Sequence, residues 1–222
     1  PKLFAKRRIE VDDGFLQRVV PAILSNTPEM KVTTPADLVS TFVEINGKLR
    51  QRNADTIRQL AAKSSPQMMW KSPFQQLGNS QVESGFADHR TYFYQDREID
   101  QQTHLGFDLA VTANVPIASA QRGTVVFADY LGIYGNCVIL DHGLGVQSLY
   151  AHLSSIDIKV GATVDKGQIL GRSGMTGLAG GDHLHFTMLV HGRPVNPVEW
   201  WDSKWMQDRV LLKITEAGGT LP

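Results

Sequence analysis

Apolar residues recur at helical spacing near the start of the chain. The spacing of three and four residues that marks one face of an α-helix is followed by Leu38, Phe42, Ile45 and Leu49. Thr34 and Pro35 precede them and suit the N-cap and the first helical position, so a helix is predicted to start there. Asn53 is predicted to cap a second helix that carries Ile57 and Leu60.

The second half of the chain follows a different pattern. Residues 1–80 contain three of the 20 glycines, whereas residues 123–181 contain twelve. Between these glycines lie short apolar runs rich in β-branched residues, namely GTVVFADY (123–130), NCVILDHG (136–143), VQSLYAHL (146–153), GQILGRSG (167–174) and HLHFTMLV (183–190). Runs of this length separated by glycine turns predict an antiparallel sheet or partly open barrel, with no room for βαβ units.

The two patterns divide the chain. Residues 64–80 contain two prolines and resemble a linker. We therefore predict an α+β protein, with a mostly helical N-terminal segment with short strands plus the linker at 1–80 and an antiparallel β-rich domain at 81–222. The latter ends in a helical tail, whose tryptophans we expect to pack onto the domain; a sugar-stacking platform is the alternative.

Composition and charge narrow the classes of function. The 22 Lys and Arg residues balance the 22 Asp and Glu residues, which gives no support for a nucleic-acid partner. A single cysteine, Cys137, leaves no intrachain disulfide. No apolar run reaches the roughly 18 residues of a membrane span. The chain begins with Pro1 instead of Met, so we expect an upstream segment that supplies an export signal or a membrane tether.

Four residues form the first chemical pattern. His183 and His185 are two apart in an apolar run, so both side chains point to the same face of a strand. Such a pair binds one metal, or divides metal binding and acid–base work, although taken alone it is more often structural. His104 and Asp108 lie four apart around Gly106, where a bend would let them converge. Two histidines and one acid leave a fourth position open, which is typical of catalytic zinc.

His152 lies on another predicted strand. Alternation places it with Ser148 and Tyr150 on a polar face, which we expect to point to a groove or to solvent while the other face packs in the core. His142 is interpreted as a turn residue. His89 and His191 have no partners at suggestive spacing.

The order and spacing of several motifs resemble those of the lysostaphin-type (LytM-type) zinc metallopeptidases of the bacterial cell wall. Between residues 84 and 201 these motifs are HLGFDLA, VPIASAQRGTVVFA, YGNCVILDHG, SLYAHLSS, VGATVDKGQILGRSGMTG, GDHLHF and RPVNPVEWW. The resemblance implies a compact antiparallel β domain with a zinc groove at one end.

The resemblance also implies roles for individual residues. It places one zinc ion per chain on His104, Asp108 and His185, and it makes His152 and His183 the catalytic histidines that do not bind the metal. One of the two would act as general base and the other would stabilise the oxyanion, and the sequence leaves their order open. Where many relatives have Phe-Gly-x-Arg, this chain has SGFADHR. Its arginine, Arg90, is assigned to the substrate groove together with Tyr134.

The function that the resemblance implies is a zinc endopeptidase acting on peptidoglycan peptides in the periplasm or cell envelope. We favour D-Ala–meso-diaminopimelate cross-links over glycine bridges. Two alternatives are a non-catalytic regulator of another cell-wall hydrolase and an enzyme autoinhibited by its own N-terminal segment. The oligomeric state is left open.

Overall fold

A computed structural model describes residues 4–30, 37–110 and 112–221. Its helices are α1 (Asp13–Ser25), α2 (Leu38–Glu44), α3 (Arg50–Ala61), α4 (Pro197–Trp201), α5 (Ser203–Met206) and α6 (Leu212–Glu216). Its strands are β1 (Lys6–Glu10), β2 (Gln81–Ser84), β3 (His89–Tyr94), β4 (Arg97–Thr103), β5 (Phe107–Ala110), β6 (Pro116–Ala118), β7 (Gly123–Tyr130), β8 (Asn136–Asp141), β9 (Val146–Leu153), β10 (Ser155–Ile156), β11 (Thr163–Val164), β12 (Ile169–Arg172), β13 (His183–Val190) and β14 (Arg193–Val195). None of the helices in these ranges has the length and apolar character needed to cross a membrane.

The principal sheet is antiparallel throughout. Its strands follow the order β11-β7-β8-β9-β13-β5-β2, and β14 pairs with the end of β13. Smaller sheets have the orders β10-β12-β6 and β1-β3-β4. Each of the five predicted runs contains a strand, namely β7, β8, β9, β12 and β13. The predicted antiparallel β-rich class is confirmed, although the helical content of the N-terminal segment is modest.

The main core includes the segment that we predicted as a linker. Residues 64–80 form neither helix nor strand, yet Trp70 and Phe74 are buried there against Trp200. Trp201 and Trp205 pack onto the same core, so the tail tryptophans are packing residues as predicted. The segment is held by burial of its aromatic side chains, and the domain boundary at residue 80 stays a prediction.

The N-terminal helices begin at different residues from those predicted. The α2 helix begins at Leu38, and Asp37 caps it by accepting a hydrogen bond from the Val39 N–H at 3.0 Å. The predicted cap, Thr34, and Pro35 lie outside the described residues. From α2 the chain continues through a π-helical turn, Ile45–Leu49, directly into α3.

Asn53 does not cap a helix, contrary to our prediction, because it lies inside α3. Its Oδ1 accepts a hydrogen bond from the Ile133 N–H at 3.0 Å. Ile133 belongs to a short 3₁₀ turn, Gly132–Tyr134, that joins β7 to β8. Competition from this tertiary partner explains the error, since an asparagine can satisfy a distant backbone donor as well as a local one.

The N-terminal segment and the β-rich part share a hydrophobic cluster. Leu16 and Phe42 are buried together with Tyr92 of β3 and Ile133. In addition, β1 pairs in parallel with β3. The N-terminal segment is therefore packed against the side of the β-rich part that carries Tyr92 and Ile133.

The prediction of an open polar face on β9 is wrong for Ser148 and Tyr150. Both side chains are buried, and His142 is buried beside them. The His142 Nδ1–H donates to the Arg122 carbonyl at 2.7 Å, while its Nε2 lies 2.7 Å from the Ser148 hydroxyl. His142 is thus a core residue as well as the residue that starts the turn. Burial outweighs its contacts with the Arg122 carbonyl and Asp141 and lowers its pKa to about 4.

A pH-dependent stability follows from His142. An unfolded histidine titrates near pH 6.5, so stability contributed by the neutral side chain is complete above that pH and is lost as the pH falls towards 4. The difference corresponds to about 3 kcal/mol. The free energy of unfolding is to be measured by urea denaturation between pH 7.5 and 4. Over this range we expect it to fall by about 3 kcal/mol more for the parent than for His142→Gln.

Both proteins are to be measured with a metal chelator present, so that the other histidines contribute equally to each curve. Parallel pH curves for the two proteins would contradict the prediction.

Candidate active site

The strand register brings separate parts of the sequence together on one face of the principal sheet. His185 lies directly opposite Asp108 of β5 on one side and Ala151 of β9 on the other. His183, two residues earlier on β13, shares that face, as the alternation predicted. His104 enters from the segment between β4 and β5. Side chains from two neighbouring strands and one connecting loop therefore meet at one point.

Three side-chain atoms form a small triangle at this point. The distance from His104 Nε2 to Asp108 Oδ1 is 3.0 Å, from Asp108 Oδ1 to His185 Nδ1 is 2.9 Å, and from His104 Nε2 to His185 Nδ1 is 3.1 Å. All three residues are buried. The structure thus brings together the three residues that the resemblance assigned to a metal.

The outer hydrogen bonds of the two imidazoles indicate where their protons lie. His104 Nδ1 is 2.9 Å from the Gly85 carbonyl, which can only accept, so this nitrogen carries the hydrogen. Thr187 donates its hydroxyl hydrogen to the Leu105 carbonyl at 3.1 Å and therefore accepts from His185 Nε2 at 3.0 Å. In the neutral imidazoles, the nitrogens that face Asp108 carry lone pairs.

Three electron-pair donors therefore face one another with no hydrogen between them. The ion pair from Arg90 to the second oxygen of Asp108 favours the ionised form of this buried carboxylate. Burial, only partly offset by Asp108, lowers the pKa of His185 to about 4. An ionised carboxylate and neutral imidazole at this separation repel unless a cation lies between them.

The triangle has the dimensions that a zinc ion requires. Zinc–ligand bonds of about 2.0–2.1 Å in a tetrahedron separate neighbouring ligand atoms by about 3.3 Å. Separations of 2.9–3.1 Å are close to that value. Outer hydrogen bonds from each histidine to a carbonyl or hydroxyl are also typical of metal-binding imidazoles. The donor set and its surroundings fit a divalent metal.

Arg90 lies beside this triangle. Its guanidinium binds the second oxygen of Asp108, Oδ2, and the hydroxyl of Ser84. It lines the same cavity as the histidines, but its hydrogen bonds are made to the carboxylate that we assigned to the metal. Arg90 therefore orients Asp108 so that Oδ1 points into the triangle.

His152 reaches the site through an unusual backbone conformation. By simple alternation it would share the core face of β9 with Tyr150, since Tyr150 pairs with Phe186 and not with His185. Its φ of 63° instead turns the side chain to the opposite face, where its ring centroid lies 4.8 Å from that of His183. The alternation argument thus placed His152 near the groove for the wrong reason, because a bulge that disrupts the pairing of β8 with β9 breaks the alternation.

The two additional histidines present the same nitrogen to the site. His152 donates from Nδ1 to the Thr176 carbonyl at 2.8 Å, and His183 donates from Nδ1 to the Gly181 carbonyl at 2.9 Å. His183 Nε2 lies 3.5 Å from Asp108 Oδ1. Each neutral ring therefore offers an Nε2 lone pair beside the metal triangle.

A cavity of about 600 Å³ opens over these residues. Tyr134 forms part of its wall, with its ring centroid 5.6 Å from that of His185, and burial raises the Tyr134 pKa. The N-terminal segment contributes Phe15, Phe42 and Arg50 to the wall of the same cavity. Of the remaining histidines, His89, His142 and His191, none lines this cavity.

Gly106 and Thr187 support the triangle from behind. A Cβ at Gly106 would lie 2.5 Å from Thr187 Oγ1 and 2.7 Å from the ring of His185. The sequence suggested a backbone bend at this glycine, whereas the structure requires it for close approach to β13. Thr187 was missed, although its position two residues after His185 on the same face was an available signal.

Comparisons with known proteins agree with this geometry. Residues 102–197 match the model of a protein family described as "Peptidase family M23". We name residues 102–197 the M23 domain after this similarity. That range includes His104, Asp108, His152, His183 and His185.

Relatives of the M23 domain include two curated proteins. DD-carboxypeptidase/endopeptidase Mpg of Neisseria meningitidis is 40% identical over 95 residues, which are 43% of this chain and 22% of Mpg. Peptidoglycan DD-endopeptidase ShyA of Vibrio cholerae is 27% identical over 175 residues, which are 79% of this chain and 38% of ShyA. The chain therefore spans between a fifth and two fifths of the length of these relatives.

A solved structure shares the fold of the M23 domain. The catalytic domain of the antimicrobial peptidase lysostaphin from Staphylococcus simulans superposes with a TM-score of 0.50 at 27% identity. The match covers 59% of this chain and 98% of the lysostaphin domain. The resemblance to lysostaphin-type peptidases that the sequence suggested is confirmed.

The hydroxyl of Thr187 should determine metal affinity. Thr187→Val keeps the shape but removes the acceptor that fixes the His185 ring, so we expect the zinc affinity of the M23 domain to fall about 10- to 100-fold. Thr187→Ser, which retains the hydroxyl, should stay close to the parent. Competition with a chromophoric zinc chelator measures both, and equal affinities for Thr187→Val and the parent would refute this role.

Gly106 permits a second test. Gly106→Ala places a methyl group against His185 and Thr187, so the ligand must move and zinc affinity should fall at least tenfold. Gly78→Ala is a matched control, because no atom within 4 Å would meet its added Cβ. The same titration should leave the control unchanged; a Gly106→Ala protein that binds zinc like the control would contradict the packing argument.

Proposed function

We propose that this chain is a zinc-dependent endopeptidase that hydrolyses peptide cross-links of bacterial peptidoglycan. One observation carries the proposal: three lone-pair donors converge at a cavity whose wall also holds His152 and His183. The names of the relatives Mpg and ShyA, which describe peptidoglycan peptidases, support the same reaction class.

In this proposal one zinc ion is held by His104, Asp108 and His185. Three protein ligands leave a position for water or substrate, which is the catalytic pattern of zinc. When bound, zinc supplies Lewis acidity, which polarises a carbonyl group and acidifies water. Arg90 keeps Asp108, and Thr187 keeps His185, in the orientation that the metal needs.

His152 and His183 carry the proton transfers. Hydrolysis adds hydroxyl from water to the scissile carbonyl carbon, breaks the C–N bond and delivers a proton to the leaving amine. One Nε2 accepts the proton of the attacking water and passes it to the leaving amine. The other Nε2 takes a proton from solvent before the reaction and donates a hydrogen bond to the developing oxyanion. Both rings are fixed by Nδ1–H bonds to backbone carbonyls, so neither must reorient.

The proposed substrate bond is the D-Ala–meso-diaminopimelate cross-link. ShyA and Mpg are both named as enzymes of DD bonds, which supports this choice over glycine bridges. A peptidoglycan substrate implies action in the periplasm or cell envelope. Because all five site positions hold metal-binding or proton-transferring residues, we favour an active enzyme over a non-catalytic regulator.

Two substitutions separate metal binding from chemistry. His185→Ala removes a ligand, so we expect it to lose both zinc and activity. His183→Ala leaves the triangle intact and should keep one zinc per chain while losing at least 100-fold in rate. Zinc content is measured by elemental analysis, and activity by mass spectrometry of peptides released from purified sacculi with direct or glycine-bridged cross-links.

Each outcome bears on a separate part of the proposal. Zinc-loaded parent protein that releases no peptide from either wall type would refute the enzyme. Release from glycine-bridged walls alone would refute the substrate assignment only. Loss of zinc in His183→Ala would refute the division of roles between the two histidines of β13.

A further inference from the structure

Four arginines line the active-site cavity in the described part of the chain, and three of them are paired with carboxylates. Arg7 binds Asp88, Arg90 binds Asp108, and Arg8 binds Glu10 and Asp96. Arg50 differs from these three. Its guanidinium has no carboxylate partner among the described residues, and its Nη1 donates to none of their atoms.

Arg50 is held in place by neutral groups. Its Nε donates to the Asn46 carbonyl at 3.0 Å, and its Nη2 donates to the Asn46 side-chain oxygen. Asn46 is fully buried, and its Nδ2 donates in turn to Asp100 at 2.7 Å. The guanidinium is therefore oriented in advance, while its charge is not neutralised by direct contact.

The helix geometry at Arg50 contributes to this arrangement. Because Ile45–Leu49 form a π-helical turn, the Arg50 N–H reaches back to the Ile45 carbonyl, five residues earlier. The Asn46 carbonyl, which an α-helical Arg50 N–H would occupy, is left to accept from the Arg50 side chain. Single π-helical turns of this kind are frequent at functional sites.

The helix that carries Arg50 is bonded to the turn that carries Tyr134, because the Asn53 side chain accepts a hydrogen bond from the Ile133 N–H of that turn. Arg50 lines the cavity together with Tyr134. Tyr134 in turn packs against the ring of His185. A ligand bound over His185 and Tyr134 would therefore have Arg50 beside it.

We propose that Arg50 binds a free carboxylate of the peptide substrate and so makes the site selective for acidic peptides. The inference rests on the proposed peptidase function and adds a specificity-determining residue supplied by the N-terminal segment. An oriented, half-buried guanidinium with an unpaired Nη1 is suited to a carboxylate, to which arginine donates paired hydrogen bonds. Stem peptides of directly cross-linked walls carry such carboxylates along the chain, whereas a glycine bridge carries none on its side chains.

The test uses the zinc-loaded full chain and matched synthetic cross-linked stem peptides. In one set every free carboxylate is retained, and in the others each carboxylate in turn is replaced by a carboxamide. We expect the parent to show about 10- to 100-fold lower kcat/KM when one particular carboxylate is amidated, which is the loss of one charge-assisted contact.

Substitution of Arg50 should abolish that preference. Arg50→Gln should raise KM for the free acid about 10- to 100-fold, keep kcat within about twofold, and leave cleavage of the sensitive amide unchanged. Arg50→Lys, which keeps a charge but not the fork, should recover part of the difference. Arg52→Gln is the matched control, because Arg52 is exposed on the same helix and does not line the cavity.

The outcomes separate this inference from the function on which it rests. A parent enzyme that cleaves acids and amides equally would overturn the role of Arg50 whether or not the variants fold. Equal losses for Arg50→Gln on acid and amide, or equal behaviour of Arg50→Gln and Arg52→Gln, would overturn it as well. Failure of the parent to cleave any peptide would instead refute the proposed peptidase.

Discussion

The site depends on an electrostatic conflict that the fold creates and a cation would relieve. Lone pairs of His104, Asp108 and His185 face one another at about 3 Å with no hydrogen between them. Their outer partners, among them Thr187 and Arg90, prevent the side chains from turning away. The strand register supplies most of the alignment, because it sets His185 opposite Asp108. Packing energy of the sheet is in this way used to hold a repulsive arrangement that is favourable only once a metal binds.

The N-terminal segment builds part of the groove as well as covering an edge of the β-rich part. Asn53 bonds the turn that carries Tyr134, and Arg18 of α1 donates to the Ala179 carbonyl at 2.8 Å, in the segment that leads to β13. Arg50 projects from the same helix as Asn53. Two sides of the cavity therefore depend on residues that lie far from the metal ligands in sequence, and the shape of the groove is coupled to the stability of these helices.

The sequence contained enough information for the fold class, and the resemblance to lysostaphin-type peptidases selected the three residues of the metal triangle. Periodicity located the central strands, and the spacing of His183 and His185 placed both on one face. Contacts that depend on tertiary partners could not be read in this way. Asparagine is a residue type that favours helix caps, but the Asn53 side chain bonds a distant turn. Thr187 belongs to no recognisable motif, and only its position two residues after His185 indicates its contact with that ring. The pairing of β1 with β3 likewise joins segments more than eighty residues apart, where no local pattern reports the contact.

His152 shows what the site costs the fold. A side chain with a Cβ is disfavoured at a φ of 63°, by an amount on the order of 1–3 kcal/mol, and glycine would occupy the same conformation without strain. The residue best suited to the backbone is therefore not the one that the proposed proton transfer requires. Selection for stability or expression alone would favour replacement of this histidine, and a library screened only for soluble protein would accumulate well-folded sequences that lack the proposed proton-transfer group at position 152.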